Sequence, residues 1–246
     1  KAILIIQAST TIDGLKFSGA KVADSNGAGI RYEGGSLTIL NSAFEKNENG
    51  ILGQGSLSDT ISITDSVFDS NGSFANGCGH NVYIGTMGKL IFKHSKSIDS
   101  RDQSHTLKSR ALLNEITDSF FSTRNSDGSY ELDFPNGGDV TLTNNVIEQG
   151  PLTGNGVVIS YGEEGNPNPT PRFTATGNIF NNLNSTGSFI RMQGASFLNI
   201  QGNTFIGGGI ILLGGTTDLS KNRNLPASVL DAYKIGNLLD RLTTNG

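Results

Sequence analysis

The sequence lacks several residue types and patterns, and each absence excludes a class of protein. Tryptophan is absent, and the single cysteine, Cys78, excludes an intramolecular disulfide and has no spaced partners for a zinc site. Charged residues make up only 16 % of the chain, and the net charge of −4 gives no basic surface for nucleic acid or an anionic membrane. No apolar run approaches the ~18 residues of a membrane-spanning helix. We therefore expect neither a nucleic-acid partner nor a membrane span.

Glycine, in contrast, is abundant. The chain has 33 Gly but only 6 Pro among 246 residues. The glycines follow no G-X-Y period, which excludes collagen, and the low proline content excludes Pro-rich disorder. A glycine content of this size is typical of a chain with many turns, so the composition predicts many short strands.

An eight-residue pattern recurs along the chain and determines the predicted fold. It reads apolar, any, apolar, any, small or polar, two further positions, then Phe or Ile. Six copies span residues 10–17, 37–44, 61–68, 140–147, 173–180 and 198–205. Residues 114–121 and the degenerate segment 90–97 complete the set. The alternation within each copy is that of a strand with one buried face.

A second apolar segment precedes most copies, as in residues 29–34, 106–110 and 189–193. Helix-length segments between the strands are missing, which disfavours doubly wound sheets and TIM barrels, and propeller blades need ~40 residues. A repeat of about 27 residues fits one coil of a parallel β-helix, whose coils stack ~4.8 Å apart. We expect an all-β, single-stranded, right-handed parallel β-helix of about eight to nine coils.

This register predicts three columns of stacked residues. The inward column of the first strand contains Ile30, Ile51, Val82, Leu107, Leu132, Val158, Ile190 and Ile211. A second buried column contains Phe17, Phe44, Phe68, Phe121, Ile147, Phe180 and Phe205. A polar column at the bend contains Asn41, Asp65, Asp118 and Asn144, since Asn and Asp tolerate bend dihedral angles. His94 falls in the polar column and is interpreted as structural.

The ends of such a stack need caps. Residues 224–242 offer Asn224 as a helix N-cap followed by apolar residues at amphipathic spacing, which predicts a capping helix. We assign residues 1–222 to the β-helix and residues 223–246 to a C-terminal cap within the same domain. At the other end, residue 3 already lies in a strand pattern, so we expect a missing cap or another chain to cover the first coil.

Two coils are lengthened, by residues 71–79 and by residues 163–172. Insertions in solenoids become loops on one face, and that face is often the binding face. A tolerated surface insertion is the alternative.

Chemically active side chains gather on the outward side of three neighbouring coils. Placing Leu107 inward puts Lys108 and Arg110 outward, ~7 Å apart along the strand. Matching positions on this and the adjacent coils add His80, Tyr83, His105, Tyr130, Glu131 and Asp133. A ladder of self-paired charges, such as Lys108 with Asp133, is the structural alternative.

This set suits chemistry on a uronic acid sugar. Abstraction of the C5 proton needs a neutralised carboxylate, which Lys108 and Arg110 supply, and a His or Tyr as base. β-Elimination is the first interpretation, while C5 epimerisation and inverting hydrolysis by Glu131 and Asp133 are alternatives. No cofactor is expected. Calcium is possible but unsupported, since only two carboxylates lie beside the cations.

The coil pattern and four segments resemble the bacterial right-handed β-helix repeat proteins of the pectin-lyase-like superfamily, across essentially the whole chain. The segments are GAGIRYEGGSLTI, HTLKSRA, SYELDFPNGG and NNVIEQGP. The resemblance implies an extracytoplasmic protein with an acidic polysaccharide as its partner. Relatives that act on alginate place Tyr, His, Arg and Lys around the sugar carboxylate, which implies the catalytic residues Tyr83, His80, His105, Lys108 and Arg110. Substrate contacts are expected from Tyr130, Glu131, Asp133, Tyr161 and Arg191.

The resemblance is incomplete, and a second class of function competes with catalysis. The Asp-Pro-His-Asp signature of the epimerases and the multi-Asp calcium set of pectate lyases are absent from the sequence. The competing hypothesis is a non-catalytic solenoid that binds polysaccharide, adheres or assembles. It is favoured if His80 and His105 are buried, or if Lys108 and Asp133 pair with each other.

Overall fold

Short strands, three in most turns, build the protein into a parallel β-solenoid of about eight turns. The computed structural model describes residues 1–73, 79–184 and 186–229. Strands of one turn pair in parallel with those of the next. The predicted parallel β-solenoid is therefore confirmed.

The strands form three faces. The first face contains β1 (Ala2–Ile6), β4 (Ala28–Tyr32), β7 (Asn49–Gly53), β10 (Val82–Lys93), β12 (Leu107–Thr117), β14 (Leu132–Phe134), β17 (Val157–Tyr161), β20 (Ser188–Met192) and β23 (Ile210–Leu213). The second contains β2 (Thr10–Asp13), β5 (Leu37–Leu40), β8 (Thr60–Thr64), β15 (Asp139–Thr143), β18 (Arg172–Thr176) and β21 (Phe197–Gln201). The third contains β3 (Lys16–Ser18), β6 (Ala43–Glu45), β9 (Val67–Asp69), β11 (Lys96–Ile98), β13 (Phe120–Ser122), β16 (Val146–Gln149), β19 (Ile179–Asn182), β22 (Thr204–Gly207) and β24 (Arg223–Leu225). The long strands β10 and β12 continue from the first face into the second.

The inward column of the first face is predicted correctly except at two positions. It contains Leu4, Ile30, Ile51, Val82, Leu107, Leu132, Ile159, Ile190 and Leu212. The expected members Val158 and Ile211 are wrong by one residue, because Ile159 pairs with Leu132 and Leu212 pairs with Ile190. Both strands carry apolar residues at consecutive positions, so alternation cannot distinguish the two registers.

The predicted aromatic column is confirmed on the third face. In order along the stack it contains Phe17, Phe44, Phe68, Ser97, Phe121, Ile147, Phe180 and Phe205. The rings of Phe44 and Phe68 stack with centroids 4.6 Å apart. Ser97 is too small to fill its position, and Phe92 packs there instead, 6.1 Å from Phe68 and 5.1 Å from Phe121.

Backbone angles at the bend between the second and third faces explain the polar column. Asn41, Asp65, His94, Asp118 and Asn144 have positive φ angles, from 47° to 55°. Other turns place glycine there, at Gly14, Gly177 and Gly202. Left-handed backbone is accessible to Gly and, with local hydrogen bonding, to Asn and Asp. His94 shares this position and lies 3.5 Å from Asp118.

The residue after most of the bend positions belongs to a second ladder, which the sequence pattern did not predict. Its side chain accepts a backbone N–H from the turn before, at 2.9–3.2 Å. The ladder contains Ser42, Ser66, Ser95, Ser119, Asn145, Asn178, Asn203 and Asn222. These side chains satisfy N–H groups at a bend where strand pairing is interrupted.

The last described turn ends on the third face. Asn224, expected as a helix N-cap, lies instead in β24 and pairs with Phe205. A 3-10 turn follows at Ala227–Val229, and the remainder of the expected capping helix, residues 230–246, lies outside the described residues. Among the described residues, no helix is long and apolar enough to cross a membrane.

Candidate functional site

Outward side chains of the first face align across consecutive turns. Tyr83 pairs in register with Lys108, and Lys108 pairs with Asp133. The column continues through Ser160 to Arg191. Because the turns stack ~4.8 Å apart, this column brings charged side chains from several turns into contact.

Arg110 lies two residues beyond Lys108 on β12 and contacts two partners. Its Nη2 donates to both carboxylate oxygens of Glu164, at 2.7 and 2.9 Å, and its Nη1 donates to the hydroxyl oxygen of Tyr83 at 2.5 Å. The Nζ of Lys108 lies 3.4 Å from the same carboxylate. Lys108 and Arg110 together hold one carboxylate, and we call them the cationic clamp.

Glu164 comes from the lengthened coil between β17 and β18. We call residues 162–171 the glutamate loop. Its backbone is tied down, since the N–H of Glu164 donates to the carbonyl of Pro135 at 2.9 Å. The side chain of Asn168 donates to the carbonyls of Ala111 at 3.3 Å and Gly137 at 3.2 Å. The insertion therefore lies over the first face.

The two carboxylates beside Lys108 differ in environment. Burial raises the pKa of Asp133, and the charge and hydrogen bond of Lys108, 3.1 Å away, oppose that rise. Partial burial also acts to raise the pKa of Glu164, but the hydrogen bond from Arg110 and the positive charges of the cationic clamp outweigh burial and lower it. Asp133 is thus a buried, fixed partner, whereas Glu164 is a half-exposed one.

A second cation holds the neighbouring glutamate of the loop. The Nη2 of Arg191 lies 2.6 Å from Oε2 of Glu163 and also donates to the hydroxyl of Tyr130. The hydroxyls of Tyr130 and Ser160 donate to the same Oε2 at 3.0 and 3.1 Å. We call Arg191, Tyr130 and Ser160 the second cationic position.

Two histidines and a tyrosine stack behind these cations. The ring centroids of His80 and His105 are 4.6 Å apart, and those of His105 and Tyr130 are 4.9 Å apart. Nδ1 of His80 accepts the backbone N–H of His105 at 3.0 Å. Neutral His80 therefore carries its proton on Nε2 and has no free lone pair for a base.

Both histidines are buried and neutral at physiological pH. His80 is 4 % exposed, and burial lowers its pKa well below the usual value. His105 is 9 % exposed, and burial together with the charges of Lys108 and Arg110 lowers its pKa to about 3. Its Nε2 lies 3.6 Å from Oδ2 of Asp133, which is too long for a hydrogen bond.

Two expected substrate contacts do not lie on the outward face. Glu131 is fully buried, accepts a hydrogen bond from the hydroxyl of Thr123, and has its pKa raised far above the usual value by burial. It precedes β14, so strand alternation does not govern its direction. Tyr161 is buried and donates to the carbonyl of Gly138 at 2.7 Å, because the register that places Ile159 inward also places Tyr161 inward. The carboxyl pair expected for hydrolysis is therefore not assembled on this face.

An open cleft of about 260 Å³ adjoins the cationic clamp on the side of the earlier turns. Its lining includes Arg31, Glu33, Leu52, Gln54 and Tyr83. An extended ligand held at the clamp has room to continue along this cleft.

Comparison of the chain with known protein families, with curated proteins and with solved structures finds no match. In the part of the chain that the structure describes, no group of three or more His, Cys, Asp or Glu side chains is placed to hold a metal ion. The chemistry that the geometry favours is the recognition of carboxylates by cations.

Sequence reasoning located the cations but missed their partners, Glu163 and Glu164. The available signal was two consecutive carboxylates between glycines, in a lengthened coil of a chain with few charges. Nothing in the spacing of the strands indicates where that coil folds.

Proposed function

We propose that this protein binds an acidic, uronic-acid-containing polysaccharide on the first face of its solenoid. The observation that carries the proposal is the carboxylate of Glu164 seated between Lys108 and Arg110. Hydrogen bonds from arginine to carboxylates are strengthened by the two charges, and Nη2 of Arg110 donates to both oxygens of the Glu164 carboxylate. A uronate carboxylate presents the same planar group to the same cations.

The state of the histidines favours binding over catalysis. Burial of His80 and His105 supports a binding solenoid over an enzyme of the expected kind. His80 uses its only lone pair on a backbone N–H. Lys108 is also paired with Asp133 at 3.1 Å, so it has a structural role in addition to any ligand contact.

β-Elimination remains the second candidate because of Tyr83. Its hydroxyl oxygen lies 2.5 Å from Nη1 of Arg110, beside the cationic clamp. Deprotonated Tyr83 would take the C5 proton, the C–H electron pair would form the C4=C5 double bond, and the C4–O bond would break. The leaving oxygen would take a proton from solvent, while the clamp stabilises the charge that develops on the carboxylate.

We further propose that the solenoid is right-handed and related to the pectin-lyase-like proteins, with a location outside the cytoplasm. Right-handed crossovers are the general rule for parallel strands. The relationship and the location rest on the resemblance of the coil segments alone.

The test is equilibrium binding to polygalacturonate, alginate and hyaluronan, with neutral dextran as the control, while absorbance at 235 nm is followed. Binding to a polyuronate without a rise in absorbance is the expected result. A rise in absorbance would show that the second candidate is correct. Equally tight binding to dextran, or no binding to any of the three acidic polysaccharides, would refute the proposal.

A further inference from the structure

Two consecutive glutamates of one loop occupy two separate cationic positions on the first face. We infer that Glu163 and Glu164 are internal substitutes for two carboxylates of the ligand, and that a polyanion with at least two carboxylates displaces both of them. This inference rests on the proposed function and adds a second carboxylate subsite and a built-in competitor.

The first subsite is the cationic clamp. Arg110 binds Glu164 through two hydrogen bonds, and Lys108 lies 3.4 Å away. Lys108 retains Asp133 as a second partner at 3.1 Å. When the Glu164 side chain rotates away, Arg110 has no carboxylate partner, and a carboxylate of the ligand can take the place of Glu164.

The second subsite is the second cationic position. Arg191, Tyr130 and Ser160 all direct hydrogen bonds to one oxygen of Glu163. The guanidinium carbon of Arg191 lies 5.3 Å from the centroid of the Tyr130 ring, which holds the cation against an aromatic surface. Three donors from three different turns converge on one carboxylate, which is the arrangement of a binding site for that group.

The glutamate side chains can leave without unfolding the loop. Those of Glu164 and Glu163 are 48 % and 39 % exposed, whereas that of Asp133 is 2 % exposed. The loop backbone is held separately, through the N–H of Glu164 and the side chain of Asn168. The cations are less exposed, at 18 % for Arg110 and 25 % for Arg191, so rotation of the two glutamate side chains into solvent opens both subsites while the cations stay in place.

The geometry also restricts the ligand. The clamp lies on β12 and Arg191 lies on β20, three turns further along the stack, which is roughly 14 Å between backbones. The side chains converge on adjacent residues of one loop, so the two carboxylates of the ligand must also lie close together. Neighbouring units of a polyuronate meet this requirement, whereas a single uronate can fill only one subsite.

The experiment measures binding of trigalacturonate to the wild type, Glu163→Gln, Glu164→Gln and the double variant by titration calorimetry. Glutamine keeps the side-chain shape but removes the competing charge. Each single variant is expected to bind about fivefold more tightly and the double variant about 25-fold, because the two subsites are separate. The control is Glu45→Gln, which removes an ion pair with Lys16 on the third face and is expected to bind like the wild type.

An Arg191→Met background tests the assignment of each glutamate. There Glu163→Gln is expected to give no gain, while Glu164→Gln still gives its fivefold gain. If the wild type binds and both Gln variants bind equally or more weakly, the competitor role is wrong and the proposed function stands. If only the Gln variants bind, the competitor role and the proposed function are both supported. If neither the wild type nor any variant binds, the proposed function fails and the inference fails with it.

Discussion

The polar ladder at the bend makes a quantitative prediction about Asn178. Its Oδ1 accepts the N–H of Asn145 at 2.9 Å, and its Nδ2 donates to the carbonyl of Leu142 at 3.0 Å and to Oδ1 of Asn203 at 2.9 Å. Asn178 is 1 % exposed, so water cannot replace these contacts. Asn178→Ala therefore leaves a buried backbone donor without a partner.

The expected loss follows from the contacts. An unsatisfied buried N–H costs about 1–3 kcal/mol, and each neutral hydrogen bond that is lost contributes about 1 kcal/mol more. The Asn145 N–H falls in the first class, and the Leu142 and Asn203 oxygens fall in the second. We expect Asn178→Ala to lower the free energy of unfolding by about 3–5 kcal/mol.

Asn178→Ser is the matched control. Serine serves the same ladder position in earlier turns, where Oγ of Ser119 accepts the N–H of Ser95 at 3.2 Å. A serine at position 178 restores an acceptor for Asn145 but not the two bonds that Nδ2 donates, so it is expected to cost about 2 kcal/mol, less than Asn178→Ala. Urea denaturation followed by circular dichroism measures both losses. Equal stabilities for the wild type and Asn178→Ala would refute the ladder as a source of stability.

Three further predictions concern the core and the buried titratable groups. Phe68→Ala should lower the free energy of unfolding by about 3–5 kcal/mol, while Thr38→Ala, on the outward side of β5, should change it by less than about 0.5 kcal/mol; equal denaturation midpoints would contradict the core register. Because the pKa of His105 falls from 6.5 to about 3 on folding, its contribution to stability is present above pH 6.5 and lost as the pH falls toward 3; a His105→Gln variant with an unchanged acid limb would contradict this. Lys108→Met removes the cation that opposes the raised pKa of Asp133, so the variant should be almost as stable as the wild type below about pH 3.8 and less stable as the pH rises. An equal loss of unfolding free energy in urea melts at pH 3.5 and 7 would show that Lys108 does not affect the pKa of Asp133.

The fold was predictable because its determinants are local and periodic. The Phe44 and Phe68 column and the bend residues Asn41 and Asp65 depend on alternation and on backbone angles, both of which repeat in every turn. The serine and asparagine ladder was equally visible in the sequence, at the position after most of the bends. This ladder was missed because Ser and Asn differ in size and have in common only a side-chain oxygen that accepts a hydrogen bond.

The predicted register was wrong where a strand has apolar residues at consecutive positions, because alternation then cannot show which side faces the core. The strand at 157–161 has apolar residues on both sides, so Val158 and Ile159 fit the inward column equally well by pattern. Only the hydrogen bonds to Leu132 decide between them. That one-residue difference turns Tyr161 into the core and moves Ser160 onto the outward face.

The cations of the candidate site and the pair of Lys108 with Asp133 were predictable, but the pairing with the glutamate loop was not. Lys108 and Asp133 follow from the register of adjacent turns. Glu164 reaches Arg110 from a loop whose path depends on contacts such as those of Asn168, and strand periodicity has no bearing on that path. The bond between His80 and the backbone depends on the direction of a ring, which sequence spacing does not determine.

The most direct test of carboxylate recognition is the affinity of Arg110→Gln for polygalacturonate, compared with Lys89→Gln. Lys89 is a matched control, since it pairs with Glu115 at 2.7 Å on the second face, away from the clamp. Hydrogen bonds to charged groups are worth about 1.5–3 kcal/mol, so Arg110→Gln should bind about 10- to 150-fold more weakly while circular dichroism shows the same fold, and Lys89→Gln should bind like the wild type. Wild-type affinity in Arg110→Gln, or an equal loss in both variants, would contradict recognition of the ligand by the cationic clamp.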